Sequence, residues 1–211
     1  MRAAVLTVSD RASAGTMTDE SGPAVHRILA AAGFDVSEVA VVPDEPERIA
    51  AFLVAAAEEH ALVVTTGGTG LGPRDVTPQA TRPLLDYEVP GLAEQMRAEG
   101  LRATPMAALS RSLAGVRGRT LILNLPGSVT GAAESLEAVV PVLGHAVALL
   151  AGDAAHSQRQ VHFLSAMLDV GQQGPDLKLP SSGGEDVRLS EAFERNRATI
   201  LAFYVLDFTP G

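Results

Sequence analysis

The chain contains no cysteine. That absence excludes disulfides, thiolate nucleophiles, iron–sulfur clusters and Cys-based zinc sites, and it fits a reducing compartment. No Lys- or Arg-rich run occurs, and the formal net charge is −9. A nucleic-acid binder normally carries a basic face, so no nucleic-acid partner is expected, and any anionic ligand must be met by a local group of arginines. The most apolar late stretch, "AVVPVLGHAVALLAG", is short and holds Pro141 and His145. It reads as too short and too interrupted to span a bilayer, so no membrane partner is expected. The N-terminus "MRAAVLTVSD" turns polar too early for a signal peptide. None of the five histidines shows metal-ligand spacing, and neither a Ser-His-Asp grouping nor an internal repeat is legible. The expectation is a cytoplasmic protein.

What is present describes a globular chain. Hydrophobic residues make up 46% and charged residues 19% of 211, enough for one full domain with its own core and an appendage. Apolar runs alternate with segments of helical period. "AAVLTV" predicts a buried strand, and "PAVHRILAAAG" a helix with Pro23 at its first position and Gly33 as its stop. "FDVSEVAVV" predicts a second strand. "DEPERIAAFLVAAAEEH" predicts a helix with Asp44 and Glu47 in capping-box spacing. "ALVVTT" predicts a third strand, and Thr77-Pro78 opens another helix. "VPGLAEQMRAEGL" and "TPMAALSRS" read as short helices and "RTLILNLPGS" as a strand with a turn. "AAESLEAVVPVLGHAVALLAG" reads as a long helix bent at Pro141. The order β-α-β-α-β-α-β-α predicts an α/β fold with a mostly parallel sheet and helices on both faces. Ligands in such folds sit beyond the carboxyl ends of the strands.

Four polar loops fall at those ends: "SDRASAG", "VVPDE", "TTGGTGLGPRD" and "NLPGS". The third leaves a buried strand with a burst of glycines. Gly67, Gly68 and Gly70, with Thr69 between them, make a turn whose backbone N–H groups form a nest for anions. No GK[ST] follows, so it is not a Walker A loop. Arg74 and Asp75 come next, and a carboxylate beside a phosphate points to a bound cation between the two. A salt bridge or local turn cap is the plainer role for a lone Asp; here the glycines, Arg74 and Thr77 favour the metal. Asp44 has two readings that are compatible, a helix cap and a second metal ligand. "SDR" offers Ser9 and Asp10, "LSRS" offers Ser110 and Arg111, and "LPGS" offers Pro126, Gly127 and Ser128. Each of these reads either as a turn or as a phosphate contact.

These blocks occur in the order found in molybdopterin adenylyltransferases, the MogA/MoaB type of molybdenum-cofactor biosynthesis protein, also found as a domain in gephyrin. "VLTVSDRASAG", "VVPDE", "TTGGTGLGPRDVTPQAT", "TPMAALSRSLAGVRG" and "LILNLPGS" carry the resemblance over residues 1–156. It implies a three-layer α/β/α fold and a homotrimer. It also implies Mg²⁺-dependent transfer of AMP from ATP to the terminal phosphate of molybdopterin, with hand-over to a molybdate-insertion protein. Asp75 and Asp44 match the family's essential acidic pair as catalytic residues and metal ligands, and Ser110 matches its serine. Ser9, Asp10, Gly67, Gly68, Thr69, Gly70, Arg74, Arg111, Pro126, Gly127 and Ser128 fall in matching blocks as binding residues. Ser128 departs from the family, which usually has Asn there. The rival readings are a non-catalytic molybdopterin-binding or scaffold module, and a related competence-damage-type nucleotide hydrolase.

After a linker, 157–174, residues 175–211 change character. "PDLKLPSSGGEDVRLSEAFERNRATILAFYVLDFTPG" resembles the opening of a peroxiredoxin, in which "DFTPG" leads to the peroxidatic Cys. It reads as hairpin, short helix and strand. With no Cys in the sequence, peroxidase activity is not expected of it.

Overall fold

Three runs of consecutive apolar residues form the middle of a seven-stranded sheet: β1 (Arg2–Val8), β4 (Leu62–Thr66) and β7 (Thr120–Leu125). The computed structural model describes residues 1–152, 178–180, 186–188 and 190–191. The three strands are parallel neighbours, with Ala4 beside Val63 and Val63 beside Ile122. Alternate side chains point to opposite faces. Ala3, Val5, Leu62, Val64, Leu121 and Leu123 face one core, and Ala4, Leu6, Val63 and Ile122 face the other. Burial on both faces is why these strands read as unbroken apolar runs rather than alternating ones.

Helices cover both faces. On one lie α2 (Ser21–Ala31), α5 (Pro90–Ala103) and α6 (Val129–Ala151), contributing Leu29, Met96 and Leu143. On the other lie α3 (Pro46–Glu59) and α4 (Thr77–Thr81), contributing Leu53 and Ala80. Each fully buried Leu contributes about 1.5–3 kcal/mol of transfer free energy. The α/β/α layering matches the expectation from sequence.

Several elements differ from that expectation. The second strand is two pieces, β2 (Asp35–Val36) and β3 (Ala40–Val42), both paired to β1. Two strands escaped the sequence reading, β5 (Tyr87–Glu88) and β6 (Ala114–Arg117). They extend the sheet antiparallel beyond β7, giving the order β2-β1-β4-β7-β6-β5. Both are shorter than a readable period. Pro23 is the third residue of α2, not the first. "TPMAALSRS" holds only a 3₁₀ turn, Pro105–Leu109, after which Ser110 is extended.

The last helix also corrects the reading of its length. α6 runs 23 residues through Pro141. It is the one helix among the described residues long and apolar enough, by length and composition, to cross a membrane. Here its stripe of Ala132, Leu136, Val139, Leu143 and Val147 lies in the core, at the three- and four-residue spacing of one helix face. Gly152 ends it with φ +77°, a conformation suited to glycine.

The chain divides into two units, Met1–Arg159 and Gln160–Gly211. In the second, β8 (Lys178–Pro180) and β9 (Asp186–Arg188) pair antiparallel with Lys178 opposite Arg188, as the expected hairpin requires. The expected linker 157–174 and the final strand lie outside the described residues.

Candidate active site

Strands β3, β1, β4 and β7 are parallel neighbours, so their carboxyl ends lie in a row and carry four loops to one edge of the sheet. Beyond β1, Ser9 caps the short helix α1 (Asp10–Ser13), its Oγ accepting from Ala12 N at 3.2 Å. Beyond β3 stand Pro43 and Asp44. Beyond β4 comes the glycine loop, and beyond β7 the Pro126–Ser128 turn. Between these loops opens a cavity of about 780 Å³, lined by Asp10, Asp44, Gly67, Gly68, Asp75 and Ser128 among others.

The glycines first make room for the protein itself. Gly67 has φ +103°, and a Cβ there would sit 2.2 Å from the Val8 carbonyl oxygen. Gly68, at φ +63°, would place one 2.3 Å from Thr77 Oγ1. Thr77 is fully buried and locks the loop, donating from Oγ1 to Gly67 O at 2.8 Å and from its N–H to Gly68 O at 3.1 Å. It is therefore a tie across the loop; the cap position of α4 is Val76, and no side chain caps it. The neighbouring turn is tied in too, with Thr66 Oγ1 donating to Pro126 O at 2.7 Å.

The carboxylates are held by backbone N–H groups. Asp75 Oδ2 accepts from Gly72 N at 2.7 Å. Asp44 Oδ2 accepts from Asp10 N at 2.8 Å, and Asp10 Oδ1 accepts from Asp44 N at 3.0 Å. This reciprocal clasp joins the loops after β1 and β3. It also corrects the expected capping box: α3 starts at Pro46, its cap position is Glu45, and no side chain caps it. Asp44 has turned across the sheet edge toward α1. Arg74 reaches over from the glycine loop and clamps Asp10 in a bidentate pair at 2.9 and 2.7 Å.

These partners set the charge states. Burial raises the Asp44 carboxyl above the ordinary carboxylate range; the Asp10 backbone N–H opposes this, while the charges of Asp10 and Asp75 add to it. The Arg74 hydrogen bonds hold Asp10 below that range, with help from the Asp44 backbone. Asp44 is thus an acid whose ionisation would be favoured by a cation. Among the described residues no group of three or more His, Asp or Glu is arranged to hold a metal. Asp44 and Asp75 each keep one oxygen, Oδ1, without a hydrogen-bond donor among the described residues. Two such oxygens suit a hard cation whose other ligands are water and phosphate.

The remaining expected residues divide between further cavities. Thr69, Gly70, Ser110 and Pro126 line a smaller one of about 300 Å³, floored by Met96. Ser110 Oγ and Ser112 Oγ are 2.8 Å apart there. Gly127 and Ser128 border both cavities. Ser128 Oγ accepts from Gly131 N at 3.2 Å and so caps α6. Asn caps as well as Ser, so either residue here keeps the cap chemistry. Arg111 lies at neither cavity. Its Nε donates to Gly70 O at 2.7 Å and its Nη2 to Asp75 O, so it braces the glycine loop.

Asp19 was missed by sequence reasoning. It lines the acidic cavity and accepts from Thr7 Oγ1 at 2.7 Å and from Gly22 N at 3.1 Å. A Cβ on Gly22 would meet Asp19 Oδ2 at 2.4 Å. The signal was available: an Asp three residues before a Gly N–H in the first turn of a helix has capping spacing.

Comparison with known proteins adds to this geometry. Residues 4–145 match the family described as a probable molybdopterin binding domain. A molybdopterin adenylyltransferase of Helicobacter pylori strain J99 is 42% identical over 153 residues, spanning 71% of this chain and 87% of that protein. A molybdenum cofactor biosynthesis bifunctional protein of Chlorobaculum tepidum is also 42% identical, and the chain spans 49% of its length. Among solved structures, the molybdopterin biosynthesis enzyme MoaB of Thermus thermophilus is similar at 58% identity and TM-score 0.68, over 72% of this chain and 96% of that one.

Proposed function

The chain belongs to the molybdopterin-binding domain family, and from that premise we propose that it transfers AMP from ATP to molybdopterin in molybdenum-cofactor biosynthesis. The observation that carries this reading is the convergence of Asp44 and Asp75. They come from different strand ends, line one cavity, and each present an oxygen without a hydrogen-bond donor. A site that only held a polyanion gains nothing from two carboxylates. A nucleotidyl-transfer site needs them to hold a cation against phosphate.

The terminal phosphate oxygen of molybdopterin forms a bond to the α-phosphorus of ATP, the bond from that phosphorus to the bridging β-phosphate oxygen breaks, and pyrophosphate leaves. The nucleophile is already an anion, so the protein supplies positioning and charge neutralisation rather than a strong base. Mg²⁺ held by Asp44 and Asp75 neutralises the phosphate charge when bound. The N–H groups of the glycine loop and the N-terminus of α6 face the substrate phosphates. Arg74 is positioned by Asp10 at the rim. The Ser110–Ser112 hydroxyl pair in the smaller cavity suits the polar edge of a heterocycle or a phosphate. The enzyme works in this reading as a cytoplasmic homotrimer that passes its product to a molybdate-insertion protein.

Anaerobic incubation with molybdopterin and Mg-ATP tests the proposal. Adenylyl-molybdopterin and pyrophosphate are expected from the parent chain and not from Asp75→Ala. A parent chain that binds molybdopterin and forms no product would overturn it in favour of a binding module.

A further inference from the structure

Arg111 lines a third cavity of about 390 Å³, together with Arg82, Arg97, Gln79 and Glu88. This cavity has no residue in common with the acidic one and adjoins the smaller cavity, with which it shares Arg97 and Ser112. Arg97 Nη1 donates to Ser112 O at 2.8 Å. Arg111 is fixed by the carbonyls of Gly70 and Asp75. Both side chains belong to residues that are half-buried. Neither forms an ion pair with an acid among the described residues; only Arg82 does, its Nε 2.7 Å from Glu88 Oε1. Three guanidinium groups and one carboxylate therefore border a single cavity in a chain of net charge −9.

Backbone carbonyls orient a guanidinium but cancel none of its charge. Two half-buried cations held this way and lining one cavity favour a counter-anion over water. Planar N–H forks fit the oxygens of a tetrahedral oxyanion, and the exposed amide of Gln79 adds a neutral donor. We propose that this cavity binds a small oxyanion of the phosphate class, held by Arg82, Arg97 and Arg111, at a site separate from the acidic cavity. The inference rests on this cavity alone and does not require the adenylyl-transfer reading. It has a consequence for the neighbouring loop: an anion on Arg111 stiffens the brace that holds the Gly70 and Asp75 carbonyls.

The test uses the full chain and inorganic phosphate, titrated calorimetrically against sodium chloride of matched ionic strength. Saturable phosphate binding is expected for the parent. Arg97→Gln should weaken it about tenfold, the loss of a charge-assisted hydrogen bond, and Arg82→Gln, at an exposed position, should weaken it less. Arg119→Gln, at an exposed turn outside the lining of this cavity, should leave it unchanged. Crystals soaked in selenate should show an anomalous selenium peak within hydrogen-bonding reach of Arg97 and Arg111. Any of the following would overturn the proposal: no saturable binding by the parent, parental affinity in both the Arg97→Gln and Arg82→Gln variants, a selenium peak confined to the acidic cavity, or a neighbouring subunit's carboxylate filling the space.

Discussion

The acidic cavity and the arginine-lined cavity border the same segment, Gly67–Gln79, and are built from opposite ends of the peptide bond. On one side backbone N–H groups hold carboxylates: Gly72 on Asp75, and Asp10 and Asp44 on each other. On the other side backbone carbonyls hold guanidinium groups: Gly70 and Asp75 on Arg111, and Ser112 on Arg97. In both places the main chain fixes a charge without neutralising it. The comparison teaches that a chain of net charge −9 keeps two local fields of opposite sign close together by orienting peptide dipoles. One field suits a cation carrying phosphates, the other an anion.

The largest effect should come from the acidic side. Asp44→Ala and Asp75→Ala are each expected to lower the rate of adenylyl transfer by about 10²–10³-fold. The double variant should lose little more than either single one, because the two act as a unit. Additive losses in single-turnover rates would separate their roles. Next comes the glycine loop at the acidic cavity. Gly67→Ala forces a Cβ against the Val8 carbonyl at a positive φ, and should lower unfolding free energy by about 2 kcal/mol or more. Chemical denaturation measures it, and an unchanged midpoint would mean that the loop relaxes freely.

A smaller effect belongs to Ser128. Ser128→Ala removes the cap on α6 and should cost about 1 kcal/mol, whereas Ser128→Asn should leave stability nearly unchanged. If Ser128→Asn alters molybdopterin affinity while stability holds, this position tunes the ligand and not the helix.

The smallest effect is a pH dependence. The Asp44 carboxyl is raised by burial, so the folded chain holds that proton more tightly than the unfolded chain. Its ionisation lowers stability as pH rises through the raised value, and the loss is complete above it. Asp44→Asn should therefore be more stable than the parent at neutral pH, with an advantage that shrinks on acidification toward the ordinary value of 3.8. Asp10 has the opposite sign: its carboxyl is lowered by Arg74, so its contribution is present above 3.8 and fades as pH falls through the lowered value. Thermal midpoints of the parent, Asp44→Asn and Asp10→Asn across acidic to neutral pH resolve both signs. Saturating Mg²⁺ with nucleotide should erase the advantage of Asp44→Asn if the cation sits on Asp44.

Much of the frame was legible. The runs "AAVLTV", "ALVV" and "TLILNL" are strands because burial on both faces demands unbroken apolar sequence, and that follows from composition alone. The strand-end loops were legible for the same reason, since polarity and glycine return abruptly where the strands stop. β5 and β6 were not, because two or four residues carry no period. Asp44 was legible as an acid at a strand end, but its helix-capping spacing was misleading. Whether a carboxylate caps its own helix or clasps the next loop depends on where β1 lies, and β1 is more than thirty residues away in sequence.

The sequence by itself therefore determined the layers, the sheet edge that carries the loops, and the presence there of glycines, acids and arginines. Local pattern encodes these because burial and turn geometry act over a few residues. The tertiary structure alone decided which charges meet. It put Asp44 on Asp10, and Arg74 on Asp10 as well. It turned Arg111 away from the acidic cavity to brace the glycine loop from behind. It split Ser110 from Asp75 into adjoining cavities. Those pairings are set by the parallel order of β3, β1, β4 and β7, which brings distant loops within hydrogen-bonding distance of one another.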